Sequence, residues 1–158
     1  MPFGQMPVLE VDGYKMAQTV AICNYLAREF GLGGKTSLET ASIDQVVCLV
    51  EDFFGAFFRA FKEKDETRKA ELLKAYRDEE APKYMGMFEK LLQNKPSGYF
   101  VGDTATLADI FVFEFMWSFN ARNPGILDNY PALVAHQEKV GSIPRIKAYL
   151  AARKHTDM

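Results

Sequence analysis

The stretch Phe3-Gly4-Gln5-Met6-Pro7-Val8-Leu9-Glu10-Val11-Asp12-Gly13 decides how this chain is read. A Met-Pro pair leads directly into a short β-prone run, Val8 to Val11, which stops at Asp12-Gly13. An Asp-Gly pair supplies the positive φ of a tight hairpin turn, so a second strand, about Tyr14 to Ala17, is expected to fold back on the first. Gln18-Thr19 then opens an apolar helix from Thr19 to Phe30. Thr19 is placed as its N-cap, where a hydroxyl can take a free first-turn amide.

Outward from this unit, the helix stops in Phe30-Gly31-Leu32-Gly33-Gly34-Lys35-Thr36, the best domain boundary in the chain. The run ends like a phosphate-binding loop, but Glu29 stands where the first glycine belongs and a helix precedes it where a strand should. It is read as a helix stop and linker, dividing residues 1–32 from 37–158. No convincing strand follows. Ile43, Val46, Val47, Val50, Phe53, Phe54, Phe57, Phe58 and Phe61 recur at steps of three and four, predicting one long helix. Glu66 to Gln93 is also periodic, but Pro82 lacks a donor and crowds the preceding turn, so a kink or split is expected near residues 78–82. After a Lys95-Pro96-Ser97-Gly98 loop and a short apolar insert, Tyr99 to Val101, the segment Thr106-Leu107-Ala108-Asp109 forms a capping box for a helix reaching about Ala121. Two shorter helices, about Pro131 to Val140 and Pro144 to Arg153, each carry proline near the first turn. The expected fold is mainly α, α+β overall: a β-hairpin and helix followed by an all-helical domain.

Composition bounds the function. The 158 residues are 48% hydrophobic, enough for a sizeable core, and the net charge of −2 offers no basic field for nucleic acid or an anionic membrane. No apolar run approaches the roughly 18 residues of a membrane-spanning helix, and a secretory leader pattern is lacking, so the cytoplasm is the expected compartment. Cys23 and Cys48 fall within apolar helical patterns and are read as small buried hydrophobes. His136 and His155 have no partner at ligand spacing, and no metal site is expected.

The run PFGQMPVLEVDG, the later AQTVAICNYLAREFGLGGKT, the helix with Glu51-Asp52-Phe53 and the segment GDTATLADI together resemble the sigma-class glutathione transferases, among them invertebrate sigma-type enzymes and the hematopoietic prostaglandin D synthases. The likeness spans the chain. It implies a thioredoxin-like unit joined to an all-helical domain, with glutathione as co-substrate, a hydrophobic electrophile as second substrate, and assembly as a homodimer. By this resemblance Gln5, Met6 and Pro7 hold the cysteinyl part of glutathione. A cis Met6–Pro7 bond would free the Met6 backbone to pair with an extended peptide, although a proline that merely starts an edge strand reads the same in sequence. Gln18 and Thr19 would hold the γ-glutamyl carboxylate, favoured also by the positive end of the helix dipole. Most members carry Ser where Thr19 stands. Asp52 would reach the ammonium of glutathione in a partner subunit. Phe54, Phe57, Phe111 and Phe115 match pocket positions of the prostaglandin-synthase type, whereas Arg59 replaces an aromatic residue there.

The resemblance also implies a thiol-activating tyrosine on an earlier strand, and none of the seven tyrosines fits that place. The chain is therefore expected to lack the first β-α-β part of the thioredoxin-like unit, to be impaired in catalysis, and to be less stable over residues 1–30 than over the helical domain. A non-catalytic binding or structural relative, or a glutathione-dependent prostaglandin isomerase, are the alternatives.

Overall fold

The computed structural model describes residues 1–154; His155 and the end of the 37–158 segment lie outside them. Strand β1 (Val8–Val11) pairs antiparallel with β2 (Tyr14–Ala17), Val8 opposite Ala17 and Val11 opposite Tyr14. Asp12 and Gly13 both have positive φ, at 50° and 82°, as a two-residue primed turn demands. Helix α1 spans Thr19–Glu29 and α2 spans Ser37–Phe61. Helices α3 (Glu66–Ala75) and α4 (Ala81–Gln93) follow, then α5 (Leu107–Arg122), α6 (Pro131–Gly141) and α7 (Pro144–Ala152).

The linker packs on the first turn of α2 and is tied to the start of α5. Gly34 packs so closely that a Cβ there would lie 2.3 Å from the Thr40 nitrogen, so the position tolerates no side chain. Thr36 caps α2 by accepting from the Glu39 N–H at 3.1 Å, and Glu39 accepts from the Lys35 N–H at 2.7 Å. The Leu107 N–H donates to the Leu32 carbonyl at 2.9 Å, tying the linker to α5.

Pro82 does divide its helical segment, through a change of hydrogen-bond register. Residues Tyr76–Glu80 form a π-helical turn between α3 and α4, and the Ala81 N–H reaches back five residues to the Tyr76 carbonyl. Pro82, which has no N–H to donate, follows directly on this wider turn.

The core lies between α2, α4, α5 and α6. Val47, Phe53, Ala81, Met85, Phe88, Ala108, Val112, Met116 and Leu133 are sealed from solvent. The predicted capping box is present and extended. Asp109 Oδ2 accepts from the Thr106 N–H at 2.8 Å and the Thr106 hydroxyl at 2.9 Å, while Oδ1 accepts from the Phe100 N–H at 2.9 Å and lies 3.1 Å from His136 Nε2. One buried carboxylate thus starts α5, pins the Tyr99–Val101 insert and meets α6. A second buried carboxylate, Glu89 on α4, accepts from the Ala132 and Leu133 N–H groups at 3.0 and 2.9 Å and caps α6 from another helix.

The cysteines differ from expectation. Cys48 is exposed, because the buried stripe of α2 runs through Val46, Val47 and Val50 and the residue after Val47 is turned about 100° away from it. Cys23 is half-buried; its burial, with the Glu51 carboxylate nearby, pushes its thiol up.

Candidate functional site

Antiparallel register brings two separated segments to one end of the hairpin. With Val8 opposite Ala17, the residues just outside the ladder are Met6-Pro7 on one side and Gln18-Thr19 on the other. The Met6–Pro7 peptide is cis. Gln5, Met6 and Pro7 are exposed, and among the described residues no backbone hydrogen bond engages Met6. This end therefore presents a free backbone donor and acceptor suited to an extended peptide.

The helix opposite starts at Thr19 as expected, but its N-cap lies one residue earlier. Gln18, not Thr19, is the N-cap of α1: its carbonyl receives the Ile22 N–H at 3.0 Å, and its φ of 75° swings the chain from strand into helix. Thr19 is the first helical residue, exposed, and no side chain caps the first turn from within. Its hydroxyl, the open first-turn amides and the positive end of the helix dipole are all available to a carboxylate. Peptide-backbone pairing on one side and carboxylate binding on the other is the chemistry this end can perform.

The other candidates lie elsewhere. Asp52 is exposed on α2. Phe54, 42% exposed, approaches Phe57 at 6.5 Å and Phe115 at 6.0 Å between ring centres, so those three meet across α2 and α5. Phe111 is half-buried against the core and takes no part in these ring contacts, and Arg59 is exposed. Beneath Phe54 lies Phe53, ringed by Tyr84 and Phe115 at 5.0 Å, Phe119 at 5.3 Å and Tyr76 at 5.6 Å. The aromatic stripe is thus divided: Phe53 is core, Phe57 and Phe58 are half-buried, and Phe54 and Phe61 are exposed. Two concavities on the described residues, one between α1 and α2 and one along α5, α6 and α7, are lined by none of the five predicted pocket residues.

Tyr76 is a further residue of note, with no motif to mark it in the sequence. It sits in the π-helical turn, 4% exposed, and its hydroxyl is buried without a partner among Phe53, Phe57 and Phe119. Burial, reinforced by Tyr84, pushes the phenol well above its ordinary range. Nothing in the sequence distinguishes a core tyrosine with a bonded hydroxyl from one without.

Comparison with known proteins places this geometry. Residues 51–153 match the family of glutathione S-transferase C-terminal domains, and residues 1–28 match that of glutathione S-transferase N-terminal domains. The chain belongs to the glutathione S-transferase family. A glutathione S-transferase of Plasmodium yoelii yoelii is 39% identical over 158 residues, covering 99% of this chain and 72% of the relative. Among solved structures, the prostaglandin synthase D of Nilaparvata lugens superposes with a TM-score of 0.91 at 32% identity, covering 98% of this chain and 77% of that one. A monomeric glutathione S-transferase from the hookworm Necator americanus gives 0.86 at 35% identity, covering 100% and 78%. The short hairpin followed by an all-helical domain is the glutathione S-transferase fold over this part of its length, and glutathione is the substrate of the family.

Proposed function

We propose that this chain is a sigma-type glutathione transferase whose described residues bind glutathione at the Met6-Pro7 and Gln18-Thr19 end of the hairpin. The hairpin register carries this reading: it aligns free backbone at Met6 with an uncapped helix N-terminus at Thr19. Glutathione offers a cysteinyl backbone for the first and an α-carboxylate for the second. Gln5 and Pro7 shape the peptide side, Gln18 assists the carboxylate side, and Asp52 serves a second copy in a cytoplasmic homodimer. The division at 1–32 and 37–158 fits the two family matches, each of which stays within one segment or the other.

The reaction proposed for the complete enzyme is conjugation of the glutathione sulfur to a hydrophobic electrophile held near Phe54, Phe57, Phe111 and Phe115. Arg59 at the open edge disfavours the substrate of the prostaglandin-synthase type. The described residues supply binding without thiol activation, since the register carries Tyr14 to the turn end of the hairpin, away from Met6.

Retention on immobilised glutathione, with little turnover of chlorodinitrobenzene, is the expected behaviour of the purified 158-residue protein. Turnover matching complete relatives would remove the claim of impairment, and absence of retention would remove the binding site itself. Thr19→Val, which keeps shape and loses the hydroxyl, is expected to weaken glutathione binding about tenfold by calorimetry, the scale of one hydrogen bond to a charged group. Unchanged affinity would exclude Thr19 from the site.

A further inference from the structure

A groove of about 560 Å³ lies on the helical domain, formed by α5, the turn around Gly125 to Asp128, α6 and α7. That volume is within the range of small-molecule sites. Phe113, Met116, Leu127, Val134 and Leu150 supply an apolar floor, and no basic side chain lines it. Asp128 and Glu138 stand exposed in its lining, and neither carboxylate is ion-paired with another described residue. Gln137, also in the lining, has a buried amide nitrogen without a partner.

Trp117, 44% exposed, completes the wall and already carries a cation: the Arg153 guanidinium carbon lies 3.9 Å from its ring centre, with Glu114 at 3.3 Å from the same guanidinium. The chain's own packing thus displays, at the edge of the groove, an aromatic face and a carboxylate sharing one positive charge.

We propose that this groove is a second ligand site that takes small amphiphilic cations. The alkyl or ring portion lies on the apolar floor, and the positive head is drawn to Asp128 and Glu138. An anionic amphiphile of the same length meets the same floor with two unpaired carboxylates against it, so charge sign discriminates. The site is independent of the hairpin end and of glutathione.

Trp117 is the chain's single tryptophan and reports on this wall alone. Its emission is followed during titration with dodecylammonium and, separately, dodecanoate, both below micelle-forming concentration at neutral pH. A saturable change with dodecylammonium, at an apparent Kd about tenfold below that for dodecanoate, is expected from two exposed charge pairs. In the Asp128→Asn, Glu138→Gln double variant, isosteric at exposed positions, the two affinities converge. Equal response to both probes, no saturation, or a preference unchanged in the double variant would each overturn the proposal. Val134→Phe, which narrows the floor without adding a second tryptophan, abolishes the Trp117 response to either probe in protein whose thermal melt is unchanged; a response that persists in that folded variant would also overturn the proposal.

Discussion

The hairpin end and the helical body use side chains in opposite ways. No residue of β1 or β2 is fully buried, and the groups offered at the hairpin end are a bare peptide, a hydroxyl and open helix amides. In the body, Phe53, Met85, Phe88, Met116 and Leu133 are sealed from water and two carboxylates are consumed in capping. The difference assigns free energy to two tasks. Apolar burial between helices holds the chain together, and the open end of the hairpin keeps polar groups unpaired so that a ligand can pair them.

That contrast predicts unequal costs of truncation. Phe53→Ala removes a fully buried ring from the centre of four aromatic contacts and is expected to cost about 4 kcal/mol in denaturant unfolding. Leu9→Ala on half-buried β1 is expected to cost about 1 kcal/mol. Equal losses would mean that the hairpin carries as much of the fold as the core does.

Much of this architecture was legible because it is local. Asp12-Gly13 announces its turn by conformation, Thr106 to Asp109 announces its cap by spacing, and the α2 stripe announces its buried face by period. What escaped depends on partners distant in sequence or on unusual backbone. Glu89 caps α6 across 43 and 44 residues, which no local pattern reveals. Gln18 adopts φ 75°, a conformation glutamine seldom shows, so the helix start was assigned to the better capping residue beside it. Cys48 has apolar neighbours in sequence, but its angle about the helix decides its exposure. At the candidate site, the residue types at the hairpin end were readable, but the aromatic stripe could not be divided by eye into core and open edge, because Phe53 and Phe54 look alike in sequence and face different ways.

Within the body, the capping carboxylates offer the next largest effect. Asp109 is fully buried and acceptor-only, facing the Phe100 and Thr106 N–H groups, the Thr106 hydroxyl and His136 Nε2. Asp109→Asn turns one of its two acceptor atoms into a donor amid donors, so a loss of about 3 kcal/mol is expected. Asp109→Asn leaves retention on glutathione intact once folded, since its partners belong to α5, α6 and the insert; a loss of binding without a loss of stability would couple the two regions directly.

The smallest effect has the opposite sign at neutral pH. Tyr76 carries a buried hydroxyl with no partner, so Tyr76→Phe removes an uncompensated polar group and is expected to stabilise the protein by about 1 kcal/mol. The pH dependence follows from the raised phenol. In the unfolded chain tyrosine ionises near pH 10, whereas folded Tyr76 keeps its proton above that value. Above about pH 10 the native state therefore binds more protons than the unfolded one, and stability falls by up to about 1.4 kcal/mol per pH unit from this group. Below pH 10 both states hold the proton and the contribution is flat. Denaturant titrations at pH 8 and at pH 10.5 should show the advantage of the Phe variant widening at the higher pH; a constant advantage would mean that the hydroxyl gains a partner or water in solution, and that this part of the aromatic core is as open as the hairpin end.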